Sequence, residues 1–411
     1  GEYYGTLVTA AAMYGAELTI YGGTFTGEEN NLYTVVANEA TLSVLKAEGT
    51  EAPTILNGAI QAALSEVTIE CGTFGNRIGD SAVMAESGTV LNISGGKFLN
   101  NGSMDTISLA GSNGANVVAN ISGGTFEGKI GVLKGTEEYS IYQISGGSYS
   151  ELPMAKYFAE GFVGVWDEEA QAYVTQEGTY VATIGEYGYT TLAEAFAAAD
   201  GGTVTLIADV TESVAIAEGK TVTLDLNGKT LTNVAGKHTI ENYGTLTVIG
   251  EGTVDNVSHG RGAVVNYGTA YLNGGLYTRS LENGQSSEDS GGNSWYVLKN
   301  YGSMTIDGAK VTQDGHYSSM IANGYQNATD RNTNYGKVTT ADKVPTLVIE
   351  SGEFVGGMNT VKNDDYAVMT INGGTFKNVS QAAVLNWNEL TITDGVFEVG
   401  EAAQAAIITS Y

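Results

Sequence analysis

The sequence predicts an all-β protein, a right-handed parallel β-helix in which short strands stack coil upon coil. Three observations predict this fold. A unit of the form apolar–Thr–apolar–x–x–Gly–x–aromatic recurs along the chain. The closest copies lie about 21 to 28 residues apart, which is the length of one solenoid coil. Glycine accounts for 57 of 411 residues and proline for only 3, which favours many tight turns over collagen-like or disordered sequence.

Each copy of the unit reads as a short strand with one buried face, followed by a glycine bend and a second strand. The step from Phe25 to Phe74 fits two coils, with Leu42-Ser43-Val44 in the middle one. A leucine-rich repeat would need a helix in every turn, and a propeller blade would need about 40 residues. A coil buries its inner face only against its neighbours. We therefore expect one column of isoleucines to point inward: Ile20, Ile69, Ile93, Ile121, Ile306, Ile349, Ile371 and Ile392.

A second signature, apolar–x–Asn–aromatic–Gly–Thr, precedes the first in the coils of the C-terminal half. It stands complete at residues 240–245, and shorter variants follow it. Asparagine tolerates left-handed backbone, and its amide can bond to the asparagine of the next coil. We therefore expect an asparagine ladder at one corner of the coils, formed by Asn242, Asn266, Asn300, Asn323, Asn363 and Asn386.

The middle of the chain breaks the pattern and predicts a division into two β-helical modules. Two alternating runs, 162–166 and 172–175, read as a β-hairpin. The only helix that the sequence predicts runs from Leu192 to Ala199, because Thr191 and Glu194 form a capping box and its apolar residues share one face. We expect this helix to cap the second module. The predicted domains are 1–150, a closing hairpin region at 151–180, and 181–411; one continuous solenoid with an inserted elbow is the alternative.

These repeats resemble the pectin-lyase-like right-handed β-helix superfamily. They look closest to repeat-rich, adhesin-like surface proteins of gut bacteria, whose modules carry strings such as LTIxGGTF and TLDLNGKTL. The second string stands here at residues 223–231. The resemblance covers most of the chain and is specific for the fold. It implies little about function, because that superfamily includes lyases, hydrolases, adhesins and phage tail fibres.

Charge and composition narrow the range of partners. The chain carries 46 acidic and 18 basic residues, a net charge of −28, which argues against nucleic acid and anionic membranes. A polyanionic glycan would need bridging metal ions. No apolar run is long enough to span a membrane, and the lone Cys71 excludes an intramolecular disulfide. We expect a monomeric protein, located outside a bacterium or on its surface, and an excerpt of a longer exported chain.

Enzymes of the superfamily imply two signatures that can be sought here. Its lyases use acidic clusters for Ca²⁺ with an Arg or Lys base, and its hydrolases use several Asp, a Gly-His-Gly and an Arg-x-Lys. The segment around His259 and the pair Asp364-Asp365 are the closest matches. However, the histidine precedes the acidic pair, no Arg-x-Lys exists, and the two lie several coils apart. A lyase or glycoside hydrolase with Asp364 and Asp365 as catalytic carboxylates remains the alternative. No cofactor is expected. Bound Ca²⁺ stays open wherever loop acids gather, although the sequence has neither EF-hand spacing nor a Gly-Asp nonapeptide array.

The corner next to the predicted ladder is the best candidate for a binding surface. The residue after each asparagine is Tyr243, Tyr267, Tyr301, Gly324, Asp364 and Trp387 in turn. The longest insertion, 325–345, leaves this corner, and a second insertion, 278–294, leaves another. Aromatic rings beside carboxylates are typical of sugar binding. For Tyr243 and Tyr267 we favour simple stacking that shields the corner.

We therefore predict a ligand site at Tyr301, Asp364, Asp365 and Trp387, with the insertion at 325–345 as its wall. The predicted function is non-catalytic adhesion, with a glycan or host-surface ligand. A purely structural stalk is the third possibility.

Overall fold

The computed structural model describes residues 2–5, 10–27, 33–76, 79–100, 102, 104–284, 295–378, 380–400 and 406–411. Of residues 2–5 and 59 it describes the main chain alone. The chain divides into unit 1, residues 1–179 with 186–190, and unit 2, residues 180–185 with 191–411. Both units are parallel β-solenoids, so the predicted all-β parallel β-helix is confirmed. No helix in the described residues is both long and apolar enough to cross a membrane.

Each coil of unit 1 contributes strands to three parallel sheets, which we call face 1, face 2 and face 3 in chain order. Face 1 contains Ala10–Met13, Tyr33–Asn38, Ala59–Ala63, Val83–Glu86, Ile107–Ala110 and Ile130–Val132. Face 2 contains Glu17–Ile20, Thr41–Val44, Glu66–Ile69, Val90–Ile93, Val117–Ile121 and Ser140–Ile144. Face 3 contains Glu2–Gly5, Thr24–Gly27, Thr54–Leu56, Thr73–Gly75, Lys97–Leu99, Thr125–Phe126 and Ser148–Tyr149.

Face 3 of unit 1 is closed by the predicted hairpin. Its strands, Phe162–Asp167 and Ala172–Glu177, pair antiparallel, and the second pairs antiparallel with Ser148–Tyr149. The sheet therefore does not end on an open parallel edge at this point. The remaining elements in the described part of unit 1 are two short 3₁₀ helices and one strand: Glu137–Tyr139, Ala155–Tyr157 and Tyr187–Tyr189.

Unit 2 has the same three faces. Face 1 contains Val214–Ile216, Ile240–Asn242, Val264–Asn266, Leu298–Asn300, Ile321–Asn323, Val361–Asn363, Val384–Asn386 and Ile408–Ser410. Face 2 contains Thr203–Leu206, Thr221–Asp225, Ser303–Ile306, Thr346–Ile349, Val368–Ile371 and Glu389–Ile392. Face 3 contains Val210–Thr211, Thr230–Thr232, Ala309–Gln313, Gly352–Gly356, Thr375–Asn378 and Val396–Val399. Two long strands, Thr245–Asp255 and Thr269–Thr278, run through both face 2 and face 3.

The first coil of unit 2 is flanked by a strand and a helix. Ala182–Ile184 pairs antiparallel with Thr203–Leu206. The helix Leu192–Ala198 is N-capped by Thr191, whose side chain accepts from the main-chain N–H of Glu194 at 3.2 Å, as the capping box predicts. The insertion in this unit carries a second helix, Ala328–Asn334, and a 3₁₀ turn, Tyr335–Lys337. This second helix was not predicted from the sequence.

The core is built from stacked identical positions. The predicted isoleucine column is buried from Ile20 to Ile371, whereas Ile392 is only half-buried because it lies in the last described strand of face 2. On face 3 the repeat aromatics stack at one coil spacing: the ring centroids of Phe98 and Phe126 are 4.8 Å apart. Such a stack adds about 1 kcal/mol per pair beyond simple burial.

Close coil packing explains the paired glycines of the repeat. A Cβ on Gly123 would lie 2.3 Å from the main-chain oxygen of Ser94 in the coil before. Gly124 has a φ of +103°, and a Cβ there would touch the ring of Phe126. The first glycine therefore lets the coils approach each other, and the second turns the chain so that the aromatic ring enters the core.

Candidate functional site

The asparagine ladder predicted for unit 2 is present and spans all six positions. The side-chain nitrogen of each asparagine donates to the side-chain oxygen of the next at 2.7–2.8 Å, in the order Asn242, Asn266, Asn300, Asn323, Asn363, Asn386. All six side chains are buried. Beneath this corner, the buried amides are therefore hydrogen-bonded to each other from coil to coil.

The residue after each ladder asparagine is held by a main-chain hydrogen bond to the coil before it. The N–H of Asp364 donates to the oxygen of Asn323 at 2.7 Å, and the N–H of Trp387 donates to that of Asn363 at 2.9 Å. The pattern places the side chains of successive coils in one column, at about 4.8 Å per coil.

Four tyrosines form the first part of this column. The ring centroids of Tyr243 and Tyr267 are 4.9 Å apart, those of Tyr267 and Tyr301 5.2 Å, and those of Tyr301 and Tyr325 5.4 Å. The sequence predicts Gly324 at this position of the column, but the ring that continues the stack belongs to Tyr325. Gly324 turns the chain with a φ of +95°, and the aromatic side chain is supplied by the next residue.

The insertion at 325–345 folds over this tyrosine column. Val338 is buried and belongs to one hydrophobic cluster with Tyr267, Tyr301 and Tyr325. Farther along the insertion, Thr339 donates from its hydroxyl to the main-chain oxygen of Tyr243 at 2.7 Å. The insertion therefore covers the tyrosines, and these tyrosines have a structural role. The helix within it had a sequence signal: Asn327 caps the main-chain N–H of Asp330 at 2.9 Å.

Tyr301 does not reach the surface, which corrects its predicted role as a ligand contact. Its side chain is 4% exposed, and its ring lies between those of Tyr267 and Tyr325. Its hydroxyl donates to Oδ1 of Asp330 at 2.8 Å. Burial and the Asp330 carboxylate raise the pKa of Tyr301 above its usual range, so the phenol stays protonated and remains a donor.

A buried lysine lies beneath the insertion. Lys299 is the central residue of the strand Leu298–Asn300, at a position that points outward, yet it is 1% exposed because the insertion covers it. Its Nζ lies 3.8 Å from Oδ2 of Asp330 and 3.5 Å from Oδ2 of Asp364. The rings of Tyr296 and Tyr301 lie 4.8 and 4.9 Å from the same nitrogen. Burial lowers the pKa of Lys299, and the two carboxylates oppose that effect.

The carboxylate of Asp364 forms ion pairs with two lysines. Its second oxygen, Oδ1, accepts from Nζ of Lys362 at 2.5 Å, while Oδ2 faces Lys299. The side chain is 3% exposed. Lys362 occupies the same outward strand register as Lys299, two coils later, and the small Ala322 lies between them. The carboxylate therefore replaces a tyrosine in the column and is neutralised from both sides.

The site predicted from the sequence did not include Lys299, Lys362 or Asp330. A signal was available, because Lys299 and Lys362 each directly precede a ladder asparagine, and an acid follows the second of these. Their burial was not foreseeable, since it depends on how the insertion folds.

Asp365 and Trp387 lie on the surface beside this buried pair. Asp365 is exposed, and its main-chain oxygen accepts from the N–H of Tyr325 at 3.4 Å. Trp387 is 46% exposed, and its ring stacks on that of Tyr411 with centroids 4.3 Å apart. The two adjacent acids therefore have different surroundings: Asp364 supports the site from inside, and Asp365 faces solvent.

A cleft of about 380 Å³ opens between these residues. It brings together Asp364, Asp365 and Trp387 from the predicted site, and Tyr301 is not part of its wall. The other lining residues are Gln326, Met358, Asn359, Lys362, Gln381 and Leu385. The cleft thus combines an exposed aromatic ring, the apolar side chains of Met358 and Leu385, and polar side chains that donate or accept hydrogen bonds.

Two further expectations concern other places in the chain. Within the described residues, no group of three or more His, Cys, Asp or Glu side chains is arranged to hold a metal ion. The second insertion, 278–294, lies outside the described residues from 285 onward. Before that point, Arg279 and Glu282 form a buried ion pair of 3.1 Å. His259 is exposed and does not line the cleft.

Comparison with known proteins gives no relative for this chain. No protein-family model, no curated protein and no solved structure matches it significantly.

Proposed function

We propose that this protein is an extracellular or cell-surface β-helix that binds carbohydrate, without turnover, in the cleft beside Trp387. The observation that carries the proposal is the exposed Trp387 at the edge of a cleft whose other walls are mostly polar. An indole ring can stack on the apolar face of a sugar. The amides of Gln326 and Gln381 can donate to and accept from hydroxyl groups.

The rigidity of the surroundings supports binding. The residues before Asp364 and Trp387 belong to the ladder, whose amides are buried and paired. Tyr411 stacks against the indole and restricts it further. A site built on such a floor loses little conformational entropy when a ligand binds.

The arrangement of charges favours binding over catalysis. A glycoside hydrolase works with a pair of carboxyl groups, one to act as acid and one as base or nucleophile. In this cleft the carboxylate of Asp364 is paired with Lys299 and Lys362, which leaves Asp365 as the accessible acid among the lining residues. One accessible carboxylate suits hydrogen bonding to sugar hydroxyls.

The test is a glycan array probed with the purified chain, with and without Ca²⁺, followed by titration of the best ligand. Trp387→Ala should abolish binding, and Asp365→Asn should weaken it. Trp166→Ala, which removes a comparably exposed tryptophan in unit 1, should leave the affinity unchanged. Thermal melts of each variant would establish that it is folded.

Three results would count against the proposal. Depolymerised product would favour the lyase or hydrolase. No binding to any glycan would favour the structural stalk. Equal binding by the parent protein and folded Trp387→Ala would place the ligand elsewhere.

A further inference from the structure

We propose that Lys299 and Asp364 condense to form an intramolecular isopeptide bond, a covalent cross-link between two coils of unit 2. The two residues are 65 positions apart in sequence, yet Nζ of Lys299 lies 3.5 Å from Oδ2 of Asp364. Both side chains are almost completely shielded from water. The proposal is independent of what the neighbouring cleft binds.

The starting state favours the reaction. A buried ion pair retains much of the desolvation cost of both charges, whereas an amide is neutral. Burial lowers the pKa of Lys299, which raises the fraction of neutral, nucleophilic amine. Two groups that the fold holds in contact can react at an effective concentration far above that of the same groups free in solution. Condensation therefore replaces a costly charge pair by a neutral bond.

Two neighbouring groups supply what the chemistry needs. Oδ2 of Asp330 lies 3.8 Å from Nζ of Lys299 and can take up the protons that the amine releases. Asp330 is held in place by Gln326, whose main-chain N–H donates to Oδ2 at 2.8 Å. Nζ of Lys362 contacts the other oxygen of Asp364 at 2.5 Å and can stabilise the negative charge that develops there.

The step balances without any other reactant. The ammonium of Lys299 gives one proton to Asp330, and the nitrogen attacks Cγ of Asp364 to form the new C–N bond. The C–Oδ2 bond then breaks. The departing oxygen receives two of the three ammonium protons through Asp330 and leaves as water, while the third proton remains on the amide nitrogen. Asp364 lines the cleft, which gives the water a way out.

The assignment of the amine to Lys299, and not to Lys362, follows from burial. Lys362 is closer to the carboxylate, but its side chain is 16% exposed against 1% for Lys299. Water stabilises its charged form and competes with the reaction. Lys362 is therefore the supporting charge and Lys299 the nucleophile.

Intact-mass spectrometry of the purified chain under denaturing conditions tests the proposal. The mass should be lower than the sequence mass by one water molecule. Peptide mapping should find a branched peptide that joins Lys299 to Asp364. A succinimide at an Asp-Gly step also loses water, but mild alkali restores its full mass, whereas the cross-link survives.

Substitutions separate the two amines. Lys299→Arg and Asp364→Ala should each restore the full sequence mass, and Asp330→Asn should restore it fully or in part. Lys362→Arg keeps a positive charge beside Asp364 and should retain the cross-link. Lys310→Arg, at an exposed salt bridge with Glu353, is the matched control and should have no effect.

The full sequence mass in the parent protein would overturn the proposal without reference to any variant. Cross-link loss in Lys362→Arg with retention in Lys299→Arg would also overturn it, because the bond would then belong to the other lysine.

Discussion

The side-chain nitrogen of Asn300 donates to the side-chain oxygen of Asn323 at 2.8 Å, and neither residue is accessible to water. The same nitrogen contacts the main-chain oxygens of Gly302 and Thr346 at 3.1 and 3.0 Å. The side-chain oxygen of Asn300 accepts in turn from Asn266. This one side chain therefore joins three coils, and its donor and acceptor groups both face partners.

Asn300→Asp should destabilise unit 2 by about 3–5 kcal/mol, because a donor becomes a buried charge that faces three oxygen atoms. Chemical denaturation followed by circular dichroism would measure the loss. Asn273→Asp makes the same change at an exposed strand position of the same unit and should cost less than about 1 kcal/mol. An equal loss in the two variants would mean that the ladder contributes nothing specific.

The ladder was predictable from sequence because it depends on local, repeated geometry. Six successive coils of unit 2 put an asparagine at the end of the same strand, so stacking these coils brings the amides together. The buried charges were not predictable, because Lys299 stands at an outward strand position and becomes buried only under a helix more than two dozen residues later in the chain. Trp387 was recognised as a surface residue, whereas Tyr301 was not recognised as a covered one. What separates these outcomes is the path of the insertion.

Phe196→Asp tests the capping role predicted for the helix Leu192–Ala198. Phe196 is buried with Leu192 and Ala195 on the inner side of this helix. An unpaired carboxylate at this position should lower the stability of unit 2 by about 3–5 kcal/mol. Thermal melting would detect it. Ala197→Asp places the same charge at the next, exposed residue and should change the melting temperature only slightly.

Tyr301→Phe tests whether the column holds the insertion. The change removes the hydroxyl that donates to Asp330 at 2.8 Å and leaves the ring in its stack. Loss of one buried hydrogen bond to a charged group should cost about 1–3 kcal/mol. Hydrogen exchange should quicken in the helix Ala328–Asn334. Tyr243→Phe is the control, because that hydroxyl makes only a 3.4 Å contact with Glu241. If hydrogen exchange in this helix is unchanged in Tyr301→Phe, other contacts, such as those of Thr339, keep the insertion in place.

His238 should make unit 2 less stable in mild acid. Its Nδ1 accepts from the main-chain N–H of Gly262 at 2.9 Å, and its ring lies 4.8 Å from that of Trp295. Burial, followed by the nearby Arg261, lowers the pKa of His238 to about 4, so the folded state holds the neutral ring. The unfolded chain takes up a proton below about pH 6.5, its ordinary pKa, while the folded chain does not until about pH 4.

The stability that the neutral His238 ring provides is therefore complete above about pH 6.5 and is lost progressively as the pH falls towards about 4. Between about pH 7.5 and about pH 5 the loss should be at most about 2 kcal/mol, since the side chain is partly exposed. Urea unfolding at the two pH values measures it. His238→Asn keeps an acceptor for Gly262 and should remove this part of the pH dependence. His259→Asn, at an exposed loop position, should leave it in place. If the free energy of unfolding changes with pH equally in the parent and in His238→Asn, the protonation of a different group causes the pH dependence.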